Sequence, residues 1–231
     1  MNQNNKICYL CGLDLFNSED IDLDHVPPKQ FYPKEIRKKH NLNLLTLSVH
    51  SACNKAYQKD EDYFVNTIAP LAQGSYSGNE IMKDLSHQFQ RPQGQRLGQM
   101  ILKEFESRPS GLYLPKGMVI KRFNADRVWR IIWKITRGLF FKEQSRFLPE
   151  NTPKYYKLFT AGEIPPPEFE AVRNTPSKGL YPPVFDYRYI IIPEVDNLQL
   201  WVWVMLLWSK LIKIIVFHDP DCKCETCCGG E

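Results

Sequence analysis

Cys8-Tyr9-Leu10-Cys11, Leu23-Asp24-His25-Val26-Pro27-Pro28, Asn43-Leu44-Leu45-Thr46 and His50-Ser51-Ala52-Cys53-Asn54 follow one another near the start of the chain. The outer residues, Cys8, Cys11, His50 and Cys53, form two soft-ligand pairs, each with the same short spacer. That spacing lets a tight turn or a helix start aim both side chains at one tetrahedral zinc ion. The inner residues, Asp24, His25, Asn43 and Asn54, are hard-ligand and acid–base types. They suit a magnesium-like ion and a general base. One metal would hold the fold while the other takes part in chemistry.

The local pattern around these residues predicts a zinc knuckle followed by a strand over residues 6–24. Gly12 fits the turn after Cys11. Ile21 and Leu23 alternate with Asp20, Asp22 and Asp24, the period of a half-exposed strand that Pro27 and Pro28 end. Residues 29–39 read as a loop or short helix beside His25. Residues 42–47 read as a second strand that pairs with the first and carries Asn43 back beside His25. A helix is expected from Ser51 to about Asn66, with Asn54 in its first turn.

Taken together, the four pieces resemble an HNH endonuclease, the ββα-metal version of a treble-clef zinc fold. The matching subgroup reads C-x-x-C, D/E-H-V-P-P, N-L-I-T, then C-x-x-C-N and a charged helix. The likeness covers about the first 65 residues, and the pieces occur in the right order. His50 departs from it, standing where the subgroup usually has cysteine, but histidine is also a good zinc ligand. The resemblance implies a structural zinc on Cys8, Cys11, His50 and Cys53, and His25 as the base that activates water. It implies Mg2+ or Mn2+ held by Asp24 and Asn54, and Asn43 orienting His25. It also implies cleavage of phosphodiester bonds, DNA by default, leaving 5′-phosphate and 3′-hydroxyl ends. A different class remains open: a non-catalytic treble-clef module that binds nucleic acid or protein. A nuclease subunit activated by a partner is a third.

Composition agrees with a nucleic-acid partner without requiring one. The formal net charge is +4. Lys29, Lys34, Arg37, Lys38 and Lys39 cluster between His25 and Asn43 against the single acid Glu35. Arg127, Arg130, Lys134 and Arg137 recur at helical spacing, with Val128, Ile132, Ile135 and Leu139 opposite. That stripe is either a solvated helix face or a phosphate-contacting one. The N-terminus carries no secretory pattern, and the apolar run 198–207 is too short to span a bilayer. A cytoplasmic protein with metal-bound cysteines is expected, with no membrane partner.

Pro, Gly and Ser cluster over residues 70–78, which places a boundary between residues 1–70 and 71–231. Helices are expected near 79–89, 94–106 and 125–147, the last capped by Asn124, with a short strand at 118–121. The Pro-rich stretch 149–183 reads as an irregular connection. Strands follow within 185–217, and a homo-oligomer or partner contact through this part is possible on the pattern. The fold class is therefore α+β: a ββα-metal domain, then a mixed helical and antiparallel-sheet domain. Trp201, Trp203 and Trp208 are either exposed contacts or core. The tail, with Cys222, Cys224, Cys227 and Cys228, could bind a second metal with His218. Its spacing fits no trusted ligand pattern, so a plain, redox-sensitive end is the preferred reading.

Overall fold

Strand β1 (Ile21–His25) ends where Pro27 and Pro28 remove backbone donors. It pairs antiparallel with β2 (Thr46–His50), setting Ile21 opposite His50 and His25 opposite Thr46. Helix α2 (Ser51–Ile68) leaves directly from β2, so the three elements form a ββα unit. The strand expected over 42–47 thus lies further along. Asn43 precedes it and is exposed. Between the strands stand a 3-10 turn (Lys29–Phe31) and helix α1 (Lys34–His40), which Asn41 stops in a left-handed conformation. The computed structural model describes residues 7–16, 20–106, 120–159, 163, 170–195, 197–224 and 227.

Past α2 the chain turns at Gly74 into α3 (Tyr76–Phe89), whose N-cap Ser75 accepts from the Gly78 amide. Helix α4 (Pro92–Leu102) starts with proline at its first position, where no donor is missed. Strands β3 (Phe105–Glu106) and β4 (Ile120–Lys121) form a short pair; residues 118 and 119 of the expected strand lie outside the described residues. Helix α5 (Ala125–Gln144) is capped as expected: Asn124 Oδ1 accepts from the Arg127 amide at 3.2 Å.

A four-stranded antiparallel sheet completes the fold. Its order is β5 (Lys154–Phe159), β8 (Leu211–His218), β7 (Leu198–Leu207), β6 (Phe185–Val195). Strand β5 lies inside the stretch read as irregular, where Lys154-Tyr155-Tyr156-Lys157 carries little apolar signal; it is held as an edge by β8. The short helix α6 (Glu170–Arg173) packs near β6. The class is α+β, as the patterning predicted.

One apolar cluster runs through the described residues on both sides of residue 70. It joins Tyr9, Phe31 and Phe64 to Phe140, Trp203 and Phe217. Trp208 Nε1 donates to Phe31 O at 2.9 Å, tying the sheet to the turn after β1. Trp201, Trp203 and Trp208 are fully or almost fully buried, so all three are core. Among the described residues no helix is long and apolar enough to cross a membrane.

Candidate metal centre and the pocket beside it

The knuckle before β1 is built by backbone bonds. The Cys8 amide donates to Leu13 O at 2.8 Å, and the Gly12 amide to Cys8 O at 2.7 Å. Gly12 sits at φ +77°, and a Cβ there would lie 3.0 Å from the Phe147 ring, so both conformation and space favour glycine. On the other side β2 ends at His50 and the first turn of α2 carries Cys53. The donor atoms of Cys8, Cys11, His50 and Cys53 all lie within 4.8 Å of one another. In a tetrahedral zinc site with Zn–S near 2.3 Å, sulfurs stand about 3.8 Å apart, so small adjustments close the shell.

The orientation of His50 fits as well. Its Nδ1 lies 3.3 Å from Cys11 Sγ, and its Nε2 lies 3.3 Å from Asp14 O. The first nitrogen faces the ligand cluster and the second can donate to a carbonyl, which is how metal-bound imidazoles are commonly steered. This group could therefore hold a metal ion such as zinc, and it is compatible with a zinc module. Burial, then the neighbouring Cys8 and Cys11 sulfurs, push the Cys53 thiol up to about 12. A cation would reverse that, because thiolates are stabilised by it.

Beside the knuckle, a pocket is lined by Asp24, His25, Lys29, Asn54, Glu61 and Asp62. Three of the four predicted inner residues thus share one concavity. Asn43 does not: it lines a separate pocket with Val26, Pro27 and Leu44. The register explains this, since His25 faces Thr46 and the Val26 amide donates to Leu45 O, which runs Asn43 past the end of β1. No hydrogen bond joins it to His25.

His25 is partly buried. Burial, then the Lys29 ammonium, lower its pKa below the ordinary imidazole value, against the opposing pull of Asp24. It is neutral near pH 7 and so able to accept a proton. Asn54 lies in the first turn of α2, and its Nδ2 donates to Asp22 Oδ2 at 2.8 Å, which points Oδ1 the other way. That bond, first among the causes, lowers the Asp22 pKa.

Asp24, expected as a ligand of the hard ion, is already engaged by neighbouring side chains. It is buried, while Ile21 and Leu23 are 47% and 59% exposed, so β1 turns its acids inward and its apolar residues out. One carboxylate oxygen accepts from Lys134 Nζ at 2.8 Å and the other from the Tyr9 hydroxyl. Lys134 also bonds Glu61. Burial first, then Asp24, raise the Tyr9 pKa, which keeps that hydroxyl a donor. Burial likewise raises the Glu61 pKa against the pull of Lys134. Each Asp24 oxygen retains a second lone pair, but an ion there would share the carboxylate with an ammonium.

The α5 stripe is corrected by the same observation. Lys134 and Arg137 are each 1% exposed, because α5 lies against α2 and the knuckle and not on open surface. Arg137 donates to Leu10 O at 2.5 Å and to Leu148 O at 2.8 Å, and pairs with Glu150. Arg127 and Arg130 both pair with Asp60 of α2, at 2.6 and 2.5 Å, and stack over Tyr63 and Tyr57. The helical spacing was right; the apolar face and the Lys134–Arg137 half of the cationic face are buried, while Arg127 is half-buried and Arg130 exposed.

A larger concavity of about 780 Å³ adjoins the His25 pocket, sharing Gln30 and Asp62 with it. It is lined by Lys34, Arg37 and Arg127 of the predicted cations, and by Lys59, Arg91 and Arg96, which sequence reading passed over. No local pattern could have flagged the last three, since α2 and α4 bring them together from distant positions. Lys38 and Lys39 are exposed on α1 away from this lining. Among the described residues, two Cys/His groups are close enough to hold an ion: this knuckle, and His218 with Cys222, Cys224 and Cys227. No protein-family model matches the chain, and no curated protein or solved structure matches it.

Proposed function

We propose that the chain is an HNH-type endonuclease that hydrolyses phosphodiester bonds in nucleic acid, DNA by default. The observation that carries this reading is the shared pocket. A neutral His25, the carboxylate of Asp24 and the amide of Asn54 line one opening, next to a knuckle with zinc-type ligands. His25 takes the proton of the attacking water. Mg2+ or Mn2+, held by Asp24 and Asn54, supplies Lewis-acid stabilisation of the phosphate and leaving oxygen when bound. The adjoining basic cleft supports a polyanionic substrate, because Arg91, Arg96, Lys59 and Lys34 can neutralise backbone phosphates without reading sequence. Asp24 already accepts from Lys134, so it would hold the ion weakly, and activity is expected to rise with added metal.

The contact between Asp24 and Lys134 also favours the second reading. An ammonium at 2.8 Å already neutralises the carboxylate, as a non-catalytic nucleic-acid or protein-binding treble clef would have it. Plasmid cleavage with magnesium, manganese or chelator separates the two. His25→Ala is expected to cut the rate by about 10²–10⁴ with zinc content and nucleic-acid affinity kept. The Asn54→Ala defect is expected to ease as the metal is raised, and the His25→Ala defect is not. Cleavage by His25→Ala at the parent rate would replace the nuclease with the binding module.

A further inference from the structure

The end of the four-stranded sheet carries a second convergence of soft donors. Strand β8 finishes at His218, whose amide donates to Pro153 O at 3.1 Å. Asp219 then anchors the chain, accepting from Trp201 Nε1 at 2.8 Å and from Arg146 at 2.9 Å. The tail folds back from that anchor: the Cys222 amide donates to Asp219 O at 2.9 Å, and the Cys227 amide to Cys224 O at 3.0 Å. These turns bring three sulfurs around one imidazole nitrogen. His218 Nδ1 lies 3.7 Å from Cys222 Sγ, 3.4 Å from Cys224 Sγ and 3.2 Å from Cys227 Sγ. All four donor atoms fall within 4.8 Å of one another.

We propose that His218, Cys222, Cys224 and Cys227 form a second structural zinc site that fastens the C-terminal tail to the sheet. Four protein donors fill a tetrahedral shell and leave no open position, the mark of a structural site and not a catalytic one. Three sulfurs and one imidazole select a soft or borderline ion, which excludes magnesium and calcium. The separations approach those in a closed zinc shell, as they do at the knuckle. His218 is buried at the end of β8, so one of the four ligands is held by the sheet and the ion would order the three cysteines around it. Binding releases the thiol protons to solvent, forms metal–sulfur bonds and changes no oxidation state. The site is independent of the proposed nuclease activity. It corrects the reading of the tail as a plain end: the spacing is unfamiliar because one ligand comes from a strand end and is aimed by the sheet.

The test is zinc content of the full chain, purified under reducing conditions. The parent is expected to hold about two zinc ions and Cys224→Ser/Cys227→Ser about one, its knuckle being unchanged. Trypsin adds a local readout. Lys223 is exposed and stands between two ligands, so the zinc-bound parent resists cleavage there and the variant is cut without any chelator. Cobalt titration of the parent, read by thiolate–cobalt absorption, is expected to saturate at about two equivalents and needs no variant to fold. Equal zinc in parent and variant, or saturation at one equivalent, would overturn the proposal. So would a tail disulfide found by mass in the freshly purified parent.

Discussion

At the residue scale, the chemistry of the pocket turns on one imidazole kept neutral. Burial and Lys29 both favour the uncharged ring of His25. A base works only when deprotonated, so the acid limb of the cleavage profile should lie below the ordinary imidazole value of about 6.5. Removing the Lys29 charge takes away the largest cause after burial, leaving the smaller pushes of Arg37 and Lys134. Lys29→Met should therefore move that limb to higher pH, with the alkaline plateau nearly kept. A pH–rate profile of both proteins checks this; a limb that moves to lower pH would show that Lys29 does not act on His25 through its charge.

At the element scale, helix α5 is the part that organises the site, although it lies far along the chain. Its Lys134 reaches Asp24, its Arg137 reaches the knuckle at Leu10 O, and its Gly138 allows the close approach that both need. A Cβ on Gly138 would fall 2.8 Å from Val26 Cγ2 and 3.1 Å from Tyr9 Cε2. Val26 is buried, β-branched and stiff, so it cannot simply rotate away. Gly→Ala inside a helix ordinarily gains about 0.5–1 kcal/mol. Here overpacking of about 1–3 kcal/mol should exceed that gain. Gly138→Ala is thus expected to lower the denaturation midpoint and, by displacing the residue after His25, the cleavage rate as well. A stabilised variant would mean that the α5 contact yields without strain.

At the scale of the whole molecule, one buried cation among the described residues has no hydrogen-bond partner. Lys213 of β8 is fully buried, its Nζ lacks a hydrogen-bond partner, and it lies 5.0 Å from the centre of the Trp129 ring. Burial lowers its pKa from 10.5 to about 7. Between those values the unfolded chain binds the proton and the folded chain does not, so stability rises with pH across that interval. Below it both states are protonated and the fold carries the whole penalty, up to about 5 kcal/mol. Lys213→Met should stabilise the protein most at or below neutral pH and remove that part of the pH dependence. Urea denaturation at pH 6.5 and pH 9 checks it: the difference between parent and variant must shrink as pH rises.

Spacing and periodicity in the sequence were enough to determine α2, α5 with its Asn124 cap, the strand after the knuckle, the core strands β6 to β8 and the Cys8, Cys11, His50, Cys53 group. Each depends on residues a few positions apart, or on two short motifs joined by one hairpin. Only the tertiary structure decided what Asp24 meets, because Lys134 comes from a helix that packs across the hairpin. It alone separated Asn43 from His25, since register is a property of two strands and not of either one. It also turned half of a cationic stripe inward, where Asp24, Glu61 and Glu150 compensate the charges of Lys134 and Arg137. And it brought His218 to the tail cysteines, because the end of a strand is aimed by the sheet that holds it, which no local run of residues can express.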